Sequence, residues 1–246
     1  MAITWHEGRV EENLVLDHKF RLVRMRVVDD PSWSFVAGQF ILVRVGKQAD
    51  GIDKVNDYSP SNVPEPGLVE FLVDVTPAEF APPAGVGSRL IRDLKPGDKV
   101  EFTGPGGDFV YKEDGARELW FVATGSGMSS LWSIMRDRLI KGEKRPVRLW
   151  WGFRYEEDVI LEEELAELTG KYPNFSYETV LSAPTEAWRG KKGHVTEHVL
   201  EAAGKLADKN SVAVYLCGNN SMIAEVSAGL FGLGFPRDKV YWEKYF

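Results

Sequence analysis

Leu119-Trp-Phe-Val-Ala-Thr-Gly-Ser-Gly-Met-Ser-Ser130 decides how this chain is read. Leu119–Ala123 is an unbroken apolar run of strand length, and Ser129–Lys141 follows with Leu131, Met135 and Leu139 on one helical face. Between them lies Thr124-Gly125-Ser126-Gly127. A strand, a glycine turn and a helix open a βα unit. Gly125 and Gly127 let the backbone approach an anionic group, and a helix start offers unpaired N–H groups to phosphate. The same spacing also suits a tight turn with no ligand. It is not a GxGxxG, and it lacks the lysine of a nucleotide-triphosphate loop.

Downstream, the same grammar repeats. Val147–Trp151, Phe175–Leu181, Val212–Cys217 and Lys239–Trp242 read as strands. Asp158–Thr169 reads as an acidic helix ending at Gly170, and Thr196–Leu206 as a helix with Thr196 as N-cap. Ser221–Leu230 carries Met222, Val226 and Leu230 on one helix face. Five strands alternating with helices predict a parallel sheet covered on both faces.

Upstream, the grammar differs. From Gly8 to about Phe109, short β-rich stretches alternate with Gly and Pro clusters: the stretch holding Phe20, Leu22 and Val27, then Gln39–Val45, Leu68–Val75 and Lys99–Thr103. That spacing predicts an antiparallel barrel or sandwich. Tyr111–Ala116 is polar and turn-like, so two domains are expected, 1–113 and 114–246.

The 246 residues are 43% hydrophobic and 27% charged, which is ordinary globular composition. The net charge of −7 argues against nucleic acid as a partner. The single cysteine, Cys217, excludes an internal disulfide and a cysteine-ligated iron–sulfur cluster, and the four scattered histidines have no zinc spacing, so no metal is expected. Met1–Arg9 lacks the apolar stretch of a signal peptide, and no apolar run approaches the ~20 residues of a membrane span. A cytoplasmic protein without a membrane partner is expected.

Ligands of open parallel sheets bind at the carboxyl ends of the strands. Cys217-Gly-Asn-Asn-Ser-Met222 lies at one such end. Gly218 permits a flat ligand to lie close; Cys217 either faces that cleft or is a buried, inert thiol. In the first half, Asn56-Asp-Tyr-Ser59 follows a polar loop. Tyr58 could stack on an aromatic ring and Ser59 donate to a ring nitrogen, or the segment is simply a strand. Gly85-Val-Gly-Ser88 precedes a predicted helix, Arg89–Leu94, and is either a second phosphate cradle or a cap. The chain ends Trp242-Glu-Lys-Tyr-Phe246, an aromatic end that packs on something flat or fills a gap in the core.

Together and in this order, these pieces resemble the ferredoxin–NADP reductase superfamily, which joins an antiparallel flavin-binding barrel to a nucleotide-binding α/β domain. Asn56-Asp-Tyr58-Ser59 matches the last two positions of its Arg-x-Tyr-Ser/Thr flavin motif. Gly85–Ser88, with Gly87 inside it, matches the flavin-phosphate Gly-x-x-Ser/Thr. Leu94–Asp98 and Gly104–Phe109 resemble the barrel-closing segment. Gly125-Ser126-Gly127-Met128, preceded by Thr124, stands at the pyrophosphate turn. Gly152-Phe-Arg154 matches a Gly-x-Arg, and Cys217-Gly218 with Met222 matches a Cys-Gly-x-x-x-Met. One departure is plain: Asn56 replaces the arginine that pairs with the flavin pyrophosphate, and an amide cannot supply that charged, forked contact. Lys54 or Arg89 could replace it; otherwise the flavin is held loosely, or is FMN.

The resemblance implies FAD as cofactor and hydride transfer from a nicotinamide to flavin N5. Electrons then pass to a separate redox protein such as a ferredoxin or flavodoxin, because no ferredoxin domain is fused here. It implies that Tyr58 stacks on the isoalloxazine, that Ser59 hydrogen-bonds near N5, and that Val73 and Val75 line the flavin. It further implies that Tyr245, with Phe246 one residue beyond, covers the opposite ring face, that Cys217 abuts the nicotinamide, and that Glu243 lies near Ser59. The alternative is a non-catalytic flavoprotein electron-transfer subunit of a larger complex. Ala183 stands where relatives that use NADPH carry an arginine, so NADH is favoured over NADPH, with Arg154, Arg189, Lys191 and Lys192 as possible substitute cations.

Overall fold

The structure is a computed structural model that describes residues 3–47, 51–75 and 86–244. The chain divides into two compact units, Met1–Val110 with Trp132–Asp137, and Tyr111–Leu131 with Arg138–Phe246.

The first unit is antiparallel. Its strands are β1 (His6–Val15), β2 (Phe20–Val27), β3 (Phe40–Lys47), β4 (Asp53–Tyr58), β5 (Leu68–Asp74) and β6 (Lys99–Gly106), in the order β4-β3-β6-β1-β2-β5. Side chains alternate across a strand, so one row from each can face a common interior. Val10, Val23, Met25, Ile41, Val43, Phe71 and Phe102 do so and form one buried cluster. Each such side chain contributes about 1.5–3 kcal/mol by leaving water. The sheet therefore curls into a barrel. Helix α1 (Val86–Asp93) lies against both β3 and β5 and adds Ile91 to the same core. Asn13 of β1 closes the helix end, its amide donating to the Ile91 and Leu94 carbonyls at 2.8 and 2.9 Å.

The second unit is parallel. Strands β7 (Glu118–Thr124), β8 (Val147–Phe153), β9 (Phe175–Leu181), β10 (Lys191–Lys192), β11 (Val212–Gly218) and β12 (Val240–Lys244) run in the order β10-β9-β8-β7-β11-β12. Every position of β11 is buried, as a strand covered on both faces requires. Val212, Val214 and Leu216 pack in one cluster with α4 (Val195–Lys205) and α5 (Asn220–Gly232). On the other face, Tyr215 stacks between Phe121 of β7 and Tyr241 of β12. Helix α2 (Met128–Ile140) buries Leu131, Met135 and Leu139, and α3 (Glu162–Lys171) packs on β9 through Leu165.

Residues 111–116 are tied to this unit by side chains. The Lys112 amide donates to the Tyr215 hydroxyl at 2.9 Å, the Tyr241 hydroxyl donates to Asp114 at 2.9 Å, and Arg145 donates to the Ala116 carbonyl at 2.9 Å. Among the described residues no helix is long and apolar enough to cross a membrane.

Several boundaries differ from the sequence reading. The parallel sheet has six strands, because Lys191–Lys192 pairs with Val180–Leu181 as a two-residue edge. Thr196 is not the N-cap of its helix; His194 is, since burying Val195 pulls the start inward. The acidic helix starts at Glu162 rather than Asp158. Tyr155–Asp158 forms a turn in which the Asp158 carboxylate accepts from the Tyr155 amide, and Leu161 takes a left-handed φ of 58°. Gly170 lies within that helix instead of ending it. Lys239 belongs to a 3₁₀ turn, and β12 begins at Val240.

Candidate functional site

In the parallel unit, three strand ends converge on the glycine turn. Gly125–Gly127 is a single 3₁₀ turn leading straight into α2. Gly125 has a φ of 52°, and its carbonyl accepts from the Trp151 indole at 3.1 Å. A Cβ on Gly127 would meet the Gly218 Cα at 2.4 Å and the Cys217 carbonyl oxygen at 2.5 Å. A Cβ on Gly218, at φ +134°, would strike the Thr124 hydroxyl at 2.3 Å. That hydroxyl accepts from the Asn219 amide at 2.8 Å, and Asn219 caps α5 by accepting from the Ser221 amide at 2.8 Å. Thr124, Gly125, Ser126, Gly127, Cys217 and Gly218 are thus one assembly, with two helix starts beside it. Ser130, in the first turn of α2, is buried with a hydroxyl that has no partner among the described residues. This orphaned hydroxyl at the start of α2 fits the anionic bridge of a dinucleotide.

Gly152, at the end of β8, is packed so closely that a Cβ would meet Val195 at 2.8 Å and Thr124 at 3.2 Å. Met222 is buried in the first turn of α5. Cys217 is the penultimate residue of β11, with no exposed surface, and Glu243 sits directly beside it in the β11–β12 register. The sequence pattern alone could not place these two residues next to each other.

One corner of this unit lies past β8 and β9. The Ala183 amide donates to the Arg154 carbonyl at 2.9 Å, so these positions lie side by side. The exposed Arg154 guanidinium rests over the Tyr155 ring at 5.0 Å. Glu156 accepts from the Thr185 amide at 3.2 Å and from its hydroxyl at 2.7 Å. Lys191 and Lys192 are exposed on the β10 edge.

In the antiparallel unit, Asn56 and Tyr58 lie on β4, and the strand itself takes in Asp53–Val55 of the polar stretch before them. Asn56 and Tyr58 pair with the core residues Val43 and Ile41, so they face the barrel interior while Asp57 faces out. Tyr58 stacks on Phe71, with ring centroids 5.3 Å apart. Burial pushes its hydroxyl up to about 12, although a hydrogen bond with the Asn56 side chain acts the other way. Gly87, in the first turn of α1, sits against both: a Cβ there would meet the Asn56 amide nitrogen at 2.2 Å and the Tyr58 hydroxyl at 2.9 Å. Ser88 follows it, partly exposed. Ser59 is buried just after β4, and Val73 and Val75 belong to the barrel core. A helix start touching a ring hydroxyl and an amide fits the phosphate end of a flavin nucleotide. Gly85, Tyr245 and Phe246 lie outside the described residues.

Trp151, Asn219 and Phe71 are the residues the sequence reading missed. Each supports the site indirectly; Trp151, one residue before Gly152, and Asn219, directly after Gly218, carried a positional signal.

Comparison with known proteins agrees with this arrangement. Residues 7–111 match the oxidoreductase FAD-binding domain family, and residues 121–228 match the oxidoreductase NAD-binding domain family. The chain is 31% identical over 221 residues to ferredoxin–NADP reductase B of Sorangium cellulosum, covering 88% of each protein. It is 29% identical over 213 residues to the toluate 1,2-dioxygenase electron transfer component of Pseudomonas putida, covering 86% of this chain and 59% of that protein. Among solved structures, it matches the ferredoxin reductase in carbazole 1,9a-dioxygenase with a TM-score of 0.82 and 25% identity, covering 100% of this chain and 70% of that one. A ferredoxin NADP+ reductase from Neisseria gonorrhoeae shares the fold, with a TM-score of 0.83, 18% identity and full coverage of both chains.

Proposed function

This chain belongs to the FAD- and NAD(P)-binding oxidoreductases of the ferredoxin–NADP reductase superfamily and moves electrons between NAD(P)H and FAD, and on that premise we propose that it is an NADH-preferring reductase that serves a separate redox protein, such as a ferredoxin. The antiparallel unit is the flavin-binding part, and the parallel unit, with residues 111–116 tied to it, is the NADH-binding part. The bound flavin supplies the exchange between a two-electron hydride donor and a one-electron acceptor.

The chain's own residues position and insulate that chemistry. Gly125–Gly127 and the start of α2 hold the NADH pyrophosphate through backbone N–H groups, with the Ser126 and Ser130 hydroxyls beside them. Gly152 and Gly218 keep the strand ends free of side chains where the dinucleotide lies flat. Cys217 and Met222 supply an apolar wall that excludes water at the nicotinamide. Glu243, next to Cys217, orients the nicotinamide by electrostatics; no proton has to leave or reach it for a hydride to pass. Tyr58 stays neutral at working pH and offers a ring face, Ser59 donates from its hydroxyl, and Val73 and Val75 keep the barrel end dry.

The preference for NADH rests on the corner beyond β8 and β9. Ala183 offers a methyl group there, and Glu156, fixed by Thr185, offers a carboxylate that accepts from ribose hydroxyls and repels a 2′-phosphate. The opposing cations, Arg154, Lys191 and Lys192, are exposed and solvated. The test is the ratio of kcat/KM for NADH to that for NADPH with a soluble one-electron acceptor. A ratio above about ten is expected; a ratio below one overturns the preference.

A further inference from the structure

Strand β5 ends its sheet, and among the described residues no further strand pairs with its outer edge. An edge strand usually keeps its free N–H and C=O groups in water. β5 does not: Val69–Val73 are all buried, and the segment just after β4 takes a neighbouring strand's place. The Ser61 amide donates to the Glu70 carbonyl at 2.6 Å. The Asn62 side chain completes the pairing: its Oδ1 accepts from the Glu70 amide at 2.8 Å, and its Nδ2 donates to the Leu68 carbonyl at 3.2 Å and to the Val63 carbonyl at 3.0 Å. Ser59, Pro60, Ser61 and Asn62 are consecutive buried residues. Pro60 fixes its own φ and restricts Ser59, so the end of β4 follows wherever Asn62 is held.

Asn62 has a second attachment, through its main chain. Its carbonyl accepts from the Ser133 hydroxyl at 2.7 Å, and Ser133 has no exposed surface. A serine inside a helix ordinarily turns its hydroxyl to water or back to its own helix; this one donates to another element. Ser133 is the sixth residue of α2, whose stretch Trp132–Asp137 belongs with the antiparallel unit and whose start, Met128–Leu131, belongs with the parallel one. The middle stretch is tightly seated: at Gly38, with a φ of +97°, a Cβ would meet the Ile134 side chain at 2.8 Å. The Asn62–Ser133 bond thus ties the Tyr58–Ser59 segment to a rigid rod. Its first turn continues the Gly125–Gly127 turn, about 9 Å back along the axis from Ser133.

We propose that Asn62 and Ser133 are positioning residues for hydride transfer: through one hydrogen bond they fix the segment that presents Tyr58 and Ser59 to the flavin ring against the helix that receives the NADH pyrophosphate. The proposal rests on the reading of those two regions as the flavin and NADH sites. Neither residue has to touch a ligand for this. Hydride transfer is steep in geometry, and a misplacement of about 1 Å costs on the order of a hundredfold in rate. The bond therefore acts on rate and not on affinity.

Stopped-flow reduction of the bound flavin by NADH separates the two. Ser133→Ala removes a single hydroxyl. It should lower the limiting rate of flavin reduction by about 10- to 100-fold, while flavin content and the NADH dissociation constant stay at the parent's values. The long-wavelength absorbance of a nicotinamide stacked on a flavin should weaken with it, a signature that a loss of stability alone does not produce. Asn62→Ala should act alike, and the double variant should be no slower than the slower single one, because the two residues work as one unit. Ile134→Val loosens the same stretch of helix without touching the bond and should leave the rate at the parent's. In protein freed of flavin, the Ser61 and Glu70 amides should exchange hydrogen faster in Ser133→Ala. Losses that multiply in the double variant, a loss confined to NADH or flavin affinity, an equal slowing by Ile134→Val, or an unchanged limiting rate or amide exchange in Ser133→Ala would overturn the proposal. If NADH does not reduce the parent's flavin at all, the reductase reading fails instead, and the amide exchange still reports on the bond.

Discussion

Arg145 grips the Glu143 carboxylate with two nitrogens, Nε to Oε1 at 2.9 Å and Nη2 to Oε2 at 2.6 Å. Glu143 is almost fully buried, and the Lys144 and Arg145 amides also donate to it at 3.0 Å. These bonds outweigh burial and hold its carboxyl at about 2. The depressed value means that this stabilisation is complete above the ordinary 4.5 and is lost as pH falls from there to about 2. Glu143→Gln should cost roughly 2–3 kcal/mol at pH 7. The difference from the parent in urea midpoint should shrink as pH drops below 4.5. A difference that is the same at pH 7 and pH 3 would contradict this account.

Gly127 should tolerate no side chain, because the atoms in its way are backbone. Gly127→Ala is expected to destabilise the chain by about 1–3 kcal/mol through forced displacement. NADH binding should fall sharply, while the flavin content of the purified protein stays near that of the parent. Thermal unfolding together with an NADH titration checks both; unchanged NADH affinity would remove the turn from the binding site.

Tyr58 should ionise late. Its hydroxyl is raised from 10.0 to about 12, so the neutral form is favoured in the folded state and the stability this provides is complete below pH 10 and lost between 10 and 12. Tyr215 and Tyr241 are raised as well, both first by burial. Absorbance at the tyrosinate band during an alkaline titration should show a late component that shrinks in Tyr58→Phe. A Tyr58→Phe profile identical to the parent's would mean that Tyr58 titrates outside that component.

Ala183→Arg should shift coenzyme preference towards NADPH, raising its kcat/KM relative to NADH by about tenfold or more, since a guanidinium–phosphate pair is charge-assisted and forked. If the ratio does not move, the adenosine end does not reach the corner formed by Arg154, Ala183 and Glu156.

The two-part architecture was legible in the sequence because its signals are long: repeated apolar runs, helical stripes of apolar residues four apart and glycine turns at strand ends. What escaped was short or polar. Asp53–Tyr58 carries almost no apolar residues, yet it forms β4, because a strand at the sheet edge needs only Asn56 and Tyr58 turned inward and can leave Asp57 in water. Lys191–Lys192 has no strand character at all; pairing with β9 alone makes it one. Motif residues such as Gly127 and Gly218 could be named from the chain, but the contact between them depends on strand order, which no local pattern encodes. The same holds for Glu243 beside Cys217.

The ties of residues 111–116 dictate where this chain can be cut. Beginning a truncated nucleotide-binding fragment at Glu118, where the first parallel strand starts, would remove the acceptor of the Tyr241 hydroxyl, the donor to Tyr215 and the Ala116 carbonyl that holds Arg145, all at once. The half-buried Tyr241 hydroxyl would lose its carboxylate acceptor and the buried Tyr215 hydroxyl its backbone donor. A fragment designed to start at Tyr111 keeps all three, so recombinant expression of this half should succeed or fail on a seven-residue extension that adds no strand and no helix of its own.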